Sequence, residues 1–177
     1  MDKTKQNLSN EHARDQSDNR SVAGLTTRSD NYEAFKRLLQ QTQRTLTIFS
    51  HNLDAQLYNT DEIMALIQRL ALHNKHANIK ILLKDCQQLA QNGHQIIELA
   101  RRLTSKIQIY QLAKDFTEYH ECFIIADTNQ IIFRPHADRF EGTVSHHDPL
   151  QVRTKLALFE QAWALSEPSA EMRRLHL

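Results

Sequence analysis

The sequence has very little glycine and almost no excess of charge of either sign. Its three glycines, Gly24, Gly93 and Gly142, are too far apart to form the glycine-rich loops that bind nucleotide phosphates, so P-loop and dinucleotide-binding folds are excluded. The 22 Lys and Arg residues are balanced by 21 Asp and Glu residues, which leaves a formal net charge of +1 at pH 7. This balance argues against a nucleic-acid-binding tail and against a basic membrane-surface patch.

Cysteines and long apolar runs are also scarce. The two cysteines, Cys86 and Cys122, form neither a disulfide framework nor the paired spacing of a zinc site. No apolar run is long enough for a signal peptide or a membrane-spanning helix. The sequence therefore predicts a cytoplasmic protein with two reduced thiols, without membrane association and without a cofactor.

Length and composition predict one domain preceded by a polar segment. A chain of 177 residues has the size of one ordinary domain. Residues 1–30 contain almost no large apolar side chains, so they cannot bury enough surface to offset the entropy lost on folding. We therefore expect residues 1–30 to be a flexible polar arm and residues 31–177 to be a single domain.

Hydrophobic periodicity predicts alternating helices and strands within the domain. Apolar residues recur at helical spacing in four segments: residues 30–39, 60–70, 86–103 and 152–163. Short β-branched and apolar runs predict three strands and a hairpin: residues 45–50, 78–83, 107–112, and 122–126 with 131–133. A polar loop is expected between the hairpin and the last helix. The order predicts an α/β fold, with a mixed, mostly parallel sheet flanked by helices on both faces.

One short segment carries the chemistry that the sequence suggests. Strand alternation places His120 and Cys122 on the same face, and Asp127 follows where the strand turns. The spacing H-x-C-x-x-x-x-D, followed by a second apolar strand, resembles the H-x-K-x-x-x-x-D signature of the phospholipase-D-like superfamily. The order of strands and helices before this segment, and the final helix, also resemble one half of that fold.

A longer stretch is similar to a narrower family. Residues 32–177, including the runs 138–142 and 166–177, resemble a small bacterial family with this fold and no assigned biochemical role. Members of that family are often encoded beside, or fused to, a GNAT-type acetyltransferase. The resemblance therefore implies either such an acetyltransferase or a second copy of this chain as a partner.

The superfamily resemblance implies metal-independent phosphoryl transfer, with His120 as the nucleophile and Asp127 as the terminal aspartate of the motif. In active members a second histidine, from a second copy of the motif, protonates the leaving group, and lysines neutralise the phosphate oxygens. Because this chain has one copy of the motif, an active site would need a homodimer in which two His120 side chains meet.

The chain departs from the superfamily pattern at the lysine position, where it has Cys122. A neutral thiol cannot supply the cationic stabilisation that phosphoryl transfer requires. The glycine-serine pair that usually follows the second strand is also missing, and Arg134 and Pro135 stand near that place. The motif is therefore degenerate at two places.

Two arginines near the end of the hairpin are candidate phosphate-binding residues. Arg134 and Arg139 could point into the same cleft, and a guanidinium binds phosphate through two hydrogen bonds. The alternative is a structural clamp in the loop, in which Arg139 pairs with Asp138 or Glu141. A histidine at the start of a strand is likewise often a hydrogen-bonded structural residue, and this is the alternative role of His120.

The remaining histidines carry weaker signals. His51 follows a predicted strand at the carboxyl edge of the sheet, where sites form, or is a solvated loop residue. His73 with His76, and the run His146–Asp148, lack the spacing of known zinc sites. We therefore predict no metal site.

Two functions are consistent with these features. The first is a degenerate phospholipase-D-like domain that acts as a non-catalytic regulatory or interaction module. The second is a divergent metal-independent phosphodiesterase or nuclease, with His120 acting across a homodimer interface and Arg134 or Arg139 in place of the lysine. Nucleic-acid binding without catalysis is a third possibility, and the near-zero net charge argues against it.

Overall fold

The computed structural model describes residues 22–170, which form one eight-stranded sheet flanked by helices. The strands are β1 (Val22–Leu25), β2 (Thr45–Ser50), β3 (Asn78–Leu83), β4 (Ile107–Gln111), β5 (Cys122–Ala126), β6 (Gln130–Arg134), β7 (Gly142–Ser145) and β8 (Glu167–Pro168). The helices are α1 (Arg28–Gln41), α2 (Ala55–Tyr58), α3 (Asp61–His73), α4 (Cys86–Gln91), α5 (Gln95–Arg102) and α6 (Pro149–Leu165), with a short 3-10 helix at Lys114–Phe116. The strand order across the sheet is β1-β7-β6-β5-β2-β3-β4-β8.

The central elements form where the sequence predicts them. β2 and β3 match the predicted strands residue for residue, and α3 begins after the N-cap Thr60, whose hydroxyl accepts a hydrogen bond from Ile63 N at 3.3 Å. The predicted helix over residues 86–103 is divided at Gly93, whose φ of 62° is a left-handed conformation that glycine adopts readily. The division places His94 at the N-cap of α5.

The α/β class is confirmed, but the prediction of a mostly parallel sheet is wrong. Among the described strands, the pairs β2–β3 and β3–β4 are parallel and the other five pairs are antiparallel. The link between β4 and β5, residues 112–121, holds only the short 3-10 helix and cannot form the crossover that a parallel strand needs. β5 therefore runs antiparallel to β2, and β5, β6 and β7 continue as a meander. β7 lies in the segment that the sequence predicts to be a polar loop.

The predicted boundary of the polar arm at residue 30 lies too far along the chain. Residues 22–25 form β1, which pairs antiparallel with β7. α1 begins at Arg28, after the N-cap Thr27, which forms a capping box with Asp30. The domain thus includes residues from 22 onward. The rest of the predicted arm, residues 1–21, lies outside the described residues, as do residues 171–177.

The sheet is buried on both faces because its central strands are apolar at successive positions. On β5, Ile124 and Ala126 pack into the core formed with α1, α3, α4 and α5, whereas Phe123 and Ile125 pack into the core formed with α6. Helices on both faces are therefore confirmed. β5 lies in the middle of the strand order, so the residues just before it and just after it lie at opposite ends of the central strands.

The turn between β5 and β6 contains a strained threonine. Thr128 has a φ of 67°, a left-handed conformation that is unfavourable for a β-branched residue and tolerated by asparagine. We expect Thr128→Asn to raise the free energy of unfolding by about 1 kcal/mol, measured by urea denaturation. Thr104→Asn is the control, because Thr104 is also exposed but has no positive φ. Equal effects of the two substitutions would contradict the assignment of strain to Thr128.

Candidate functional site

The candidate site lies where the carboxyl ends of β2 and β3 meet the start of β5, at one end of the central strands. β2 and β3 are parallel and β5 runs antiparallel to β2, so the chain leaves β2 at Ser50 close to where it enters β5 at Cys122. Sites in open α/β sheets form at carboxyl edges of this kind. His51 and His120 flank these two strand ends, and Arg134 lies directly opposite Cys122 in the register of β5 and β6.

The structure brings His51 and His120 together. Their ring centroids are 6.4 Å apart with an interplanar angle of 61°, and Nε2 of His51 donates a hydrogen bond of 2.9 Å to the carbonyl oxygen of Tyr119. The side chain of His120 is exposed, and its carbonyl oxygen accepts a hydrogen bond from Ala137 N at 2.7 Å. β5 starts at Cys122, so His120 precedes the strand instead of forming part of it. His51, a weak candidate from the sequence, is therefore a direct neighbour of the motif histidine.

Cys122 is buried and carries no charge. Nε of Arg134 donates a hydrogen bond to Sγ of Cys122 at 3.0 Å. Burial raises the pKa of the Cys122 thiol, and the nearby Arg134 guanidinium only partly opposes this shift. Cys122 is therefore a neutral thiol at pH 7. The residue that the sequence comparison places at the lysine position is thus a buried, packed side chain.

Arg134 supplies the positive charge beside this thiol. The residue is 6% exposed, its Nη1 donates a hydrogen bond to the carbonyl oxygen of Arg139 at 3.1 Å, and its guanidinium carbon lies 6.0 Å from the ring centroid of Phe140. Among residues 22–170, no carboxylate forms an ion pair with Arg134. A buried guanidinium without a carboxylate partner is uncommon, because buried charges are normally paired.

Arg139 contacts Arg134 through its main-chain carbonyl oxygen, whereas the Arg139 side chain is exposed to solvent. The structural clamp that the sequence suggests as an alternative is absent from the described residues, since no ion pair joins Arg139 to Asp138 or Glu141. The Arg139 carbonyl instead fixes the guanidinium of Arg134. The two candidate arginines are thus connected, with Arg134 in the wall of the site and Arg139 outside it.

Asp127 lies at the other end of β5, roughly 20 Å from His120 at about 3.3 Å per strand residue. Its carboxylate accepts hydrogen bonds from the main-chain N–H groups of Gln43, Arg44 and Thr45 at 2.7, 2.8 and 2.9 Å. These bonds hold the start of β2 against the turn after β5. The structure therefore separates Asp127 from the other motif residues and gives it a structural contact.

Removing this carboxylate should weaken the fold and leave the opposite edge of the sheet intact. Asp127→Ala breaks three charge-assisted hydrogen bonds, so we expect the free energy of unfolding to fall by about 2 kcal/mol in urea denaturation. The control is His120→Ala, which removes an exposed side chain from the other end of the strand and should be nearly neutral. Destabilisation by His120→Ala and none by Asp127→Ala would reverse the roles assigned to the two residues.

A cleft of about 620 Å³ opens at the same edge as Arg134. It lies between the loop after β2, the turn between α4 and α5, and the loop after β6, and its wall includes Arg28, His51, His94 and Phe140. The side chain of Asn31 donates a hydrogen bond of 2.8 Å to the carbonyl oxygen of Phe140 and ties this loop to α1. A volume in this range fits a small molecule.

Sequence reasoning missed three residues of this cleft. Arg28 falls in the predicted arm, and Phe140 lies in the predicted polar loop. His94 could have been found from the helix break at Gly93, since an N-cap follows such a break and its side chain is then fixed against the helix. These residues are far apart in the sequence, so the sequence gives no sign that they line the same cleft.

The other histidine candidates lie elsewhere and are exposed. His73 ends α3, His76 precedes β3, and His146 and His147 lie between β7 and α6. Within residues 22–170, no three His, Cys, Asp or Glu side chains converge as a metal ion would require. No helix in the same range combines the length and apolarity needed to cross a membrane.

Comparison with known proteins defines a family and a fold. A family model described as a domain of unknown function, DUF7931, matches residues 27–175. No curated protein has a significant sequence match to the chain. The archaeal chromatin protein TrmBL2 has a similar structure, with a TM-score of 0.61 and 18% identity over 84% of this chain and 55% of TrmBL2. The chain thus spans only about half of that neighbour.

Two further solved structures have the same fold. Nuc from Salmonella typhimurium, a phospholipase D family member, has a TM-score of 0.62 and 12% identity over 85% of this chain and 98% of Nuc. Phosphatidylserine synthase from Haemophilus influenzae Rd KW20 has a TM-score of 0.59 and 14% identity over 89% of this chain and 42% of the synthase. The phospholipase-D-like fold that the motif implies is therefore confirmed.

Proposed function

Because the chain belongs to the DUF7931 family and has the phospholipase-D-like fold, we propose that it is a catalytically inactive module with a regulatory or interaction role. The observation that supports this proposal is the state of Cys122. It stands at the lysine position of the motif as a buried thiol, and burial raises its pKa, so it has no charge to offer a phosphate group.

The missing cation matters because phosphoryl transfer depends on positive charge. Negative charge on the equatorial oxygens must be stabilised in the transition state, and removing one preorganised group of this kind raises the barrier by about 3–4 kcal/mol. Asp127 is held by backbone hydrogen bonds at the far end of β5, so it also contributes nothing to a reaction at His120.

The fold itself is compatible with either a catalytic or a non-catalytic role. Its structural neighbours include a phospholipase D family member and a chromatin protein, so the fold alone assigns no activity. In our proposal the module acts by association, with a second copy of itself or with an acetyltransferase of the GNAT type. Light scattering of the full chain, alone and mixed with such an acetyltransferase, tests this part, and a monomer in both samples would contradict it.

A divergent phosphodiesterase is the second candidate, and the position of Arg134 favours it. The guanidinium lies 3.0 Å from Sγ of Cys122, so a positive charge is present next to the lysine position although it comes from the neighbouring strand. In this alternative, His120 acts across a homodimer interface and Arg134 or the exposed Arg139 neutralises the phosphate. His51 is already beside His120 within one chain.

One assay separates the two candidates. The full chain is incubated with bis-p-nitrophenyl phosphate and with single-stranded DNA in the presence of a metal chelator. The inactive module predicts no turnover above a blank without protein, for the wild type and for His120→Ala alike. Turnover that is lost in His120→Ala and retained in His147→Ala, an exposed histidine elsewhere, would overturn our proposal in favour of the phosphodiesterase.

A further inference from the structure

Two hydrogen-bond donors in the wall of the cleft have unused bonding capacity. The first belongs to His94, which is 2% exposed. Its Nδ1 accepts a hydrogen bond from Ile96 N at 3.2 Å, so the neutral ring carries its proton on Nε2. Nε2 is buried and has no partner among the described residues. Burial lowers the pKa of His94 to about 4, so the ring is neutral at pH 7 and Nε2 is a donor only.

The second donor is the guanidinium of Arg134. Nε is used by Cys122 and Nη1 by the carbonyl oxygen of Arg139, whereas within residues 22–170 Nη2 has no hydrogen-bond partner. The guanidinium also forms no ion pair in that range. A buried donor such as Nε2 of His94 and a buried charge such as the Arg134 guanidinium normally have partners in a native protein. Their presence without such partners in the wall of one cleft indicates a ligand with acceptor atoms.

The other charges around the cleft do not satisfy Arg134. Asp54 acts on Arg134 through space, but its carboxylate caps α2 by accepting a hydrogen bond from Gln56 N at 2.9 Å and lies 3.7 Å from Nε of Arg28. Arg28 and Arg134 both contact the ring of Phe140, with guanidinium carbons 5.1 and 6.0 Å from its centroid. Two guanidinium groups thus converge on one side of the cleft, and one of them has no carboxylate.

We propose that this cleft is a binding site for a small molecule bearing an oxyanion, a carboxylate or a phosphate, bound by Nη2 of Arg134 with Nε2 of His94 as a second donor. A guanidinium binds both kinds of oxyanion, and the volume of about 620 Å³ leaves room for the body of a small organic molecule beyond that group. This goes beyond the proposed module, because it assigns a ligand class to a defined site. It also holds whether or not the protein turns over phosphodiesters.

Titration of the full chain with inorganic phosphate, and separately with succinate, tests the site and distinguishes the two oxyanions. At constant ionic strength, followed by ¹H–¹⁵N NMR, at least one anion should bind saturably, with a dissociation constant on the order of millimolar for such a fragment. The Arg134 Nε–H and His94 imidazole resonances should shift on binding. Absence of saturable binding by both anions would overturn the proposal.

Substitutions in the cleft locate the binding. Arg134→Met should weaken it by about tenfold or more. His94→Asn should weaken it severalfold, because asparagine keeps the N-cap acceptor of α5 and removes the Nε2–H donor. Arg153→Gln, on the exposed part of α6, should leave it unchanged. If Arg134→Met does not fold, the anion affinity of His94→Asn and the resonance shifts of the wild type test the site instead. The proposed site would be wrong if Arg153→Gln weakened anion binding as much as the cleft substitutions do, or if the cleft substitutions did not weaken it.

The outcome is separable from that of the proposed function. Turnover of bis-p-nitrophenyl phosphate would end the inactive-module proposal and leave the anion site standing. Absence of anion binding in a protein without turnover would end the anion site and leave the inactive module standing.

Discussion

Replacing Cys122 with lysine is expected to lower the free energy of unfolding by about 3–5 kcal/mol and to restore no phosphodiesterase activity. The Cys122 side chain is buried, and its Sγ lies 3.0 Å from Nε of Arg134. A lysine ammonium there would be a second buried cation beside the first, and no carboxylate among the described residues forms an ion pair with Arg134. Like charges at this distance repel strongly in a buried environment.

The matched control is Cys122→Met, which introduces a side chain of similar length without the charge. We expect it to lower the free energy of unfolding by about 1–2 kcal/mol, the cost of overpacking alone. Urea denaturation measures both variants, and bis-p-nitrophenyl phosphate turnover is followed for each. A lysine variant that is as stable as the methionine variant would show that the site accommodates the ammonium. Turnover by that variant would mean that only the missing charge separates this protein from an active enzyme.

His94 is expected to make the fold less stable in acid. Burial penalises the charged ring and lowers the pKa of His94 to about 4 in the folded protein, whereas the ordinary pKa of a histidine is 6.5. Between these two values the unfolded chain binds a proton that the folded protein does not, so stability rises with pH across this window. The stabilisation is complete above pH 6.5 and is lost as the pH falls to about 4, a total of about 3 kcal/mol.

Chemical denaturation at a series of pH values between 4 and 7 measures this effect. His94→Asn removes the titrating ring and keeps the N-cap, so its stability should change about 3 kcal/mol less over the same range. Asp30, whose pKa is lowered to about 2 chiefly by its hydrogen bonds from the Thr26 and Thr27 N–H groups, titrates below this window. An unchanged pH dependence in His94→Asn would show that another group is responsible.

Local sequence pattern located the motif and predicted its fold, but it did not predict how the site is arranged. The spacing around His120 and Cys122 resembles the phospholipase-D-like signature, and such a resemblance involves only residues that are close together in the sequence. It could not show that Asp127 bonds to Gln43, Arg44 and Thr45, since these residues are more than 80 positions away in the chain.

The same limit applies to the cleft. Arg134 is beside Cys122 because β5 and β6 pair in the register that places these two residues opposite each other. A shift of one residue in that register would turn Arg134 toward the other face of the sheet. Arg28 lies in the wall of the cleft because α1 starts earlier than composition suggests. His94 lies there because the helix is interrupted at Gly93.

Local sequence pattern was enough to predict the α/β class and the exact limits of β2 and β3. These follow from apolar periodicity and residue identity, which are local properties. Long-range contacts set the direction of most strands, the separation of Asp127 from His120, and the convergence of Arg28, His94 and Arg134 on one cleft. These depend on pairing between segments far apart in the chain, and the free energy of that pairing is set by packing across the whole sheet.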